Sequence, residues 1–77
     1  MLRLALNVGR EHKIMPGDIV GVILGTTGLT KETIGAIQLQ PKETFVDVTE
    51  NEANLILKKL NGIRFKGRKL AARLATE

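Results

Sequence analysis

The chain opens on strict alternation: Leu2, Leu4, Leu6 and Val8 are apolar, and Arg3, Ala5 and Asn7 fall between them. Period two predicts a strand with one buried face. Gly9-Arg10-Glu11-His12-Lys13 follows as a polar loop. Pro16-Gly17-Asp18 then opens a segment in which Ile19 and Ile23, and Val20 and Leu24, stand four apart. That spacing predicts a short helix with Asp18 near its N-terminus. Gly21 and Gly25 weaken it, and Gly25 or Gly28 marks its end. Thr30 to Thr33 reads as a capped turn.

Alternation returns from Gly35 to Gln40, with Ile37 and Leu39 inward and Ala36, Gln38 and Gln40 outward. Pro41-Lys42-Glu43 connects to a third strand, in which Thr44, Val46 and Val48 share one face and Phe45 and Asp47 the other. Thr49 and Glu52 have the spacing of a capping box. Ala53, Ile56, Leu57 and Leu60 then make the apolar stripe of a second helix, stopped at Asn61-Gly62. Ile63 to Phe65 is short and extended, and Lys66-Gly67 is a turn. Lys69 to Leu74 alternates once more, with Leu70, Ala72 and Leu74 inward and Lys69, Ala71 and Arg73 outward. The order β-α-β-β-α-β defines an α+β, ferredoxin-like sandwich: a four-stranded antiparallel sheet with two helices on one face. Its open face is a flat platform carrying Arg3, Ala5, Asn7, Gln38, Gln40, Phe45, Asp47, Lys69, Ala71 and Arg73.

Length limits what this fold can be. Seventy-seven residues make one domain, whose modest core has no disulfide to reinforce it, since cysteine is absent. The longest apolar stretch, Ile19 to Leu24, is far short of the ~20 residues of a membrane span. Absence of cysteine and of a signal-like N-terminus points to a cytoplasmic protein.

Charge changes the picture more. Between Lys58 and Arg73 stand seven basic residues and no acidic one, so the net charge of +4 is local to the last quarter of the chain. A one-sign patch on a small domain is the footprint of a polyanion-binding surface. Arg64, Lys66, Arg68, Lys69 and Arg73 are the best phosphate-contact candidates, with Lys69 and Arg73 assigned to the same sheet face by period two. Lys58 and Lys59 suit the negative end of the second helix. Arg10 and Lys13 sit in the first loop, where Glu11 dilutes their charge, and Arg3 and Asn7 lie on the platform. Asn7 has the chemistry to meet a base edge or a backbone group at the strand end. His12 is the only histidine, and one histidine without cysteine is no metal site. No cofactor motif is present, and neither is a Gly-x-x-x-x-Gly-Lys-Ser/Thr phosphate loop.

Several segments in this order resemble the small RNA-binding domain at the C-terminus of DbpA-type bacterial DEAD-box RNA helicases, which has an RNA-recognition-motif-like fold. They are Val8-Gly9-Arg10-Glu11-His12-Lys13-Ile14, Met15-Pro16-Gly17-Asp18-Ile19-Val20-Gly21, Ile34-Gly35-Ala36-Ile37, Phe45-Val46-Asp47-Val48 and Leu60-Asn61-Gly62-Ile63-Arg64-Phe65-Lys66-Gly67-Arg68-Lys69-Leu70. The resemblance covers nearly the whole chain. It implies RNA, ribosomal RNA included, as a partner, a second basic contact at Arg10 and Lys13, and a helicase core on the same longer chain. Where RNA-recognition motifs carry stacking aromatics, this chain has Ala5 and Glu43, and Phe45 alone remains to stack a base. Phosphate contacts are therefore expected to dominate. The competing reading is a protein-interaction or dimerisation module on the same fold. An enzyme is not expected, because Gly9-Arg10 has no adjoining nucleophile or acid–base pair.

Overall fold

The computed structural model describes residues 1–75. Its strands are β1 (Leu2–Leu6), β2 (Ile34–Leu39), β3 (Thr44–Val48), β4 (Arg64–Phe65), β5 (Arg68–Lys69) and β6 (Ala72–Leu74), and its helices are α1 (Pro16–Thr27) and α2 (Glu50–Leu60). Single 3-10 turns at Arg10–His12 and Lys31–Thr33 precede α1 and β2. The main sheet runs β2-β3-β1-β6, antiparallel throughout. Both helices pack on one face, as the order of elements predicts. Leu4, Leu6, Val46 and Val48 from the sheet meet Ile19 and Ile23 of α1 and Ala53, Ile56 and Leu60 of α2 in one core. Thr44 lies inward too, fully buried, and its hydroxyl donates to the Val8 carbonyl at 2.7 Å.

The helix ends differ in how they are held. At α1, Pro16 takes the first position, and the Asp18 carboxylate accepts from the Met15 backbone N–H at 2.9 Å. Gly28, at φ 77°, ends this helix in the left-handed conformation, so Gly25 is internal. At α2, the capping box expected of Thr49 and Glu52 is not made. Thr49 makes no side-chain cap bond, and its Oγ1 is buried without a partner. The first turn is closed by backbone alone, Glu52 N–H to Thr49 carbonyl at 3.1 Å.

The last strand departs most from the alternation. Instead of one strand over Lys69–Leu74, the chain makes two. Arg68–Lys69 pairs with Arg64–Phe65 in a separate hairpin whose two-residue turn is Lys66-Gly67. Both turn residues have positive φ, 51° and 80°, as a primed hairpin turn requires. Ala72–Leu74 alone joins the main sheet against β1. Lys69 therefore does not share the sheet face with Arg73. Leu74 sits opposite Leu4, yet it is 41% exposed, because β6 is an edge strand and its end is left uncovered. Ala5, expected on the open platform, is buried instead, flanked by its cross-strand neighbours Phe45 and Arg73.

Two asparagines hold the crossing between the sheets. The Asn7 side chain donates to the Lys69 carbonyl at 3.1 Å and accepts from the Ala71 N–H at 2.9 Å. The Asn61 side chain accepts from the Ala72 N–H at 2.8 Å and donates to the Leu57 and Ala72 carbonyls. Leu70 exchanges backbone bonds with Gly62 and Ile63, and Asn7 N–H donates to the Ala71 carbonyl. Every backbone donor and acceptor from the Lys69 carbonyl to the Ala72 carbonyl thus has a partner, although half of this segment belongs to no sheet.

Candidate nucleic-acid interface

The strands and loops sort the charged residues into three places. At one pole, the β1–α1 loop, the β2–β3 loop, the start of α1, the end of α2 and the β4–β5 hairpin converge. Arg10 and Glu11 donate backbone N–H groups to the Gln40 and Pro41 carbonyls, each at 2.9 Å. Gly9 makes this approach possible, because a Cβ there would collide with the Gln40 carbonyl and with the backbone of Pro41 and Glu43. His12 serves the same loop, its Nδ1 accepting from the Gly9 N–H at 2.9 Å. Lys66 Nζ lies 3.5 Å from the Asp18 carboxylate and so ties the hairpin turn to the start of α1.

This pole carries Arg10, Lys13, Lys42, Lys58, Lys59, Arg64, Lys66, Arg68 and Lys69, against Glu11, Asp18 and, at its border with the sheet face, Glu43 of the β2–β3 loop. All nine basic side chains are exposed. Lys13, like Lys66, has a positive φ, 62°. The Asp18 carboxyl is held below its ordinary value, first by the Met15 N–H and then by the charge and hydrogen bond of Lys66, with burial opposing both. At neutral pH it is therefore ionised and offsets one positive charge of the pole.

The open sheet face is different. Arg3 Nε donates to Asp47 Oδ1 at 3.1 Å, and Arg73 lies 3.7 Å from Glu43. Two cations meet two carboxylates, so the face is electrically balanced. One row of cross-strand neighbours runs Gln38, Phe45, Ala5, Arg73. Phe45 is half-buried, with the Arg3 guanidinium 6.0 Å from its ring centre. Phe65 packs against the core edge. The far pole, at the start of β2 and of α2, carries Lys31 against Glu32, Glu50 and Glu52.

Of the residues singled out from sequence, the fold gathers Arg10, Lys13, Arg64, Lys66, Arg68 and Lys69 at one pole. It separates them from Arg3, Phe45 and Arg73 on the sheet face. Asn7 stands at the border, with both ends of its amide committed to the backbone of Lys69 and Ala71. Sequence reasoning left out Lys42, which the β2–β3 loop brings to the pole, and the carboxylates Glu43 and Asp47 that occupy the arginines of the face. Among the described residues, no group of three or more His, Asp or Glu side chains is placed to hold a metal. No helix among them is long and apolar enough to cross a membrane.

A four-stranded antiparallel sheet, two helices on one side and a strongly basic loop pole define a small nucleic-acid-binding module of the α+β sandwich class. The chain matches the DbpA RNA-binding domain family over residues 3–74 and belongs to that family. It is accordingly an RNA-binding domain. It is 34% identical over 74 residues to the ATP-dependent RNA helicase DbpA of Escherichia coli (strain K12), a match covering 96% of this chain and 16% of that protein. With the ATP-dependent RNA helicase DeaD of Mycobacterium tuberculosis (strain ATCC 25618 / H37Rv) it shares 38% identity over 60 residues, 78% of this chain and 11% of the helicase. The crystal structure of RNA-binding protein PG1 has the same fold, with TM-score 0.77 over 100% of this chain and 96% of that one, at 18% identity.

Proposed function

We propose that this domain tethers a DEAD-box helicase core, carried on the same longer polypeptide, to structured RNA such as ribosomal RNA, in the cytoplasm. The observation that carries the reading is the basic pole, nine cations against three carboxylates, built from loops that backbone bonds lock together. Arg64, Lys66, Arg68 and Lys69 supply phosphate contacts there, with Arg10 and Lys13 beside them. Arg3, Asn7, Phe45 and Arg73 act on the adjoining sheet face, where Phe45 stacks a base. Tethering raises the concentration of RNA near the core without any new catalytic group.

The test is a fluorescence titration of this chain against single-stranded and hairpin RNAs over a range of salt. The logarithm of the association constant should fall with the logarithm of salt by about 0.7 for each phosphate neutralised on a single strand. Binding that ignores salt would overturn the reading in favour of a protein-interaction or dimerisation module. The link to a helicase core fails if the gene's reading frame encodes no such core.

A further inference from the structure

The turn of the β4–β5 hairpin places Lys66 beside Gly67, both in the left-handed region. Glycine and asparagine suit that region, and a lysine enters it at a cost in backbone strain. Turn chemistry therefore does not account for this residue, and its side chain has to. Lys66 Nζ lies 3.5 Å from Asp18 Oδ2, the same oxygen that accepts from the Met15 N–H at 2.9 Å. The two interactions are unequal. The bond from Met15 is short, whereas the lysine contact is longer than the ~2.7–2.9 Å of a close ammonium–carboxylate pair. Asp18 also sits in the first turn of α1, where the helix dipole favours a negative charge without help from a cation. Both side chains of the pair are accessible, at 45% for Lys66 and 30% for Asp18, so a second anion can reach the ammonium group. Asp18 thus has its place in the fold without Lys66, while the charge of Lys66 is partly cancelled by Asp18.

Granting the phosphate contacts assigned to the pole above, we infer that the Asp18–Lys66 pair is an autoinhibitory contact. Asp18 holds the hairpin turn against the start of α1 and competes with RNA phosphate for the Lys66 ammonium group. A bound phosphate draws Lys66 away and releases the turn, and the start of α1 stays capped through Met15. Glu11 supplies the comparison. It lies in the same pole with the same charge, and among the described residues it makes no ion pair. Its effect on a phosphate is only the general repulsion of a surface carboxylate. Asp18 adds to that repulsion the breaking of one specific pair, which for an exposed ion pair amounts to about threefold in affinity.

The experiment is a fluorescence titration of a labelled hairpin RNA with the parent chain, Asp18→Asn, Glu11→Gln, Lys66→Gln and the two doubles that add Lys66→Gln to each carboxylate change. Thermal melts at neutral pH verify each fold. Asp18→Asn is expected to tighten binding about threefold more than Glu11→Gln does. On the Lys66→Gln background the two carboxylate changes should have equal effects. Equal effects on the parent background would overturn the inference, as would an excess for Asp18→Asn that survives Lys66→Gln. Carbon-detected NMR of the unmutated chain gives a reading that needs no variant. Saturating RNA should shift the Asp18 carboxyl resonance and leave that of Glu32, at the far pole, in place. An Asp18 resonance that stays put would mean that Lys66 never leaves it, which also overturns the inference. Lys66→Gln binding as tightly as the parent would instead remove the phosphate contact on which the competition rests.

Discussion

Two threonines at the ends of β3 make opposite use of their hydroxyls. Thr44 Oγ1 donates to the Val8 carbonyl inside the core, whereas Thr49 Oγ1 is buried with no partner. Thr44→Val keeps the shape but leaves a buried carbonyl unsatisfied, which costs about 1–3 kcal/mol. Thr49→Val removes an orphaned hydroxyl and should leave stability unchanged or raise it, where a working N-cap would lose ~1 kcal/mol. Urea denaturation of the two variants checks both signs. At Asp18 the issue is charge. Its carboxyl is held below the ordinary 3.8, chiefly by the Met15 N–H and secondarily by Lys66. A depressed carboxylate stabilises the fold above its unfolded value, and that contribution disappears as pH falls through the lower folded value. The window is therefore strongly acidic, below about pH 4. Asp18→Asn should flatten this part of the acid melting curve, and an NMR titration of the Asp18 carboxyl should give a midpoint below 3.8. A midpoint at or above that value would contradict the geometry at the start of α1.

At the scale of elements, periodicity made β1, β3 and both helices legible, because one burial pattern decides each of them. The last strand was not legible for a physical reason. Lys69, Leu70, Ala71, Ala72, Arg73 and Leu74 carry a plausible alternation whether the chain stays in one sheet or passes between two. What separates the cases is the pair Asn7 and Asn61, which are remote in sequence and bind the backbone of the crossing from opposite sides. Asn61 reads as a helix stop from its place before Gly62, and nothing local reveals its bonds to Ala72. The charged residues show the same limit. Their types and clustering are visible along the chain, but Arg3 and Asp47 lie 44 residues apart, and only the register of β1 against β3 joins them. Since Asn61 satisfies both polar groups of Ala72 and the Leu57 carbonyl, Asn61→Ala should cost about 2 kcal/mol, at ~0.5–1.5 kcal/mol for each hydrogen bond removed. Hydrogen exchange should then show the amide of Ala72 opening while those of β1 and β3 stay protected. Equal loss of protection through the whole sheet would mean that the clamp is not local.

For the whole molecule, the question is which surface holds the RNA backbone. The two poles lie at opposite ends of β1, whose five residues span roughly 17 Å. That is about two Debye lengths at physiological salt. The acidic far pole therefore does little to cancel the field of the basic one, and the sheet face contributes almost none, since its arginines are matched by Asp47 and Glu43. Phosphates should be drawn to the pole, with the face reading whatever base is laid across it. Two variants separate these roles. Changing Arg64, Lys66, Arg68 and Lys69 together to glutamine should reduce the steepness of the salt dependence by up to about 2.8, or 0.7 for each phosphate no longer neutralised. Changing Arg3 to glutamine and Asp47 to asparagine together keeps the face neutral and should leave the salt slope as it was. The same titration series reads both. If the face variant flattens the slope and the pole variant does not, the backbone runs across the sheet, and the locked loops of the pole serve only the fold.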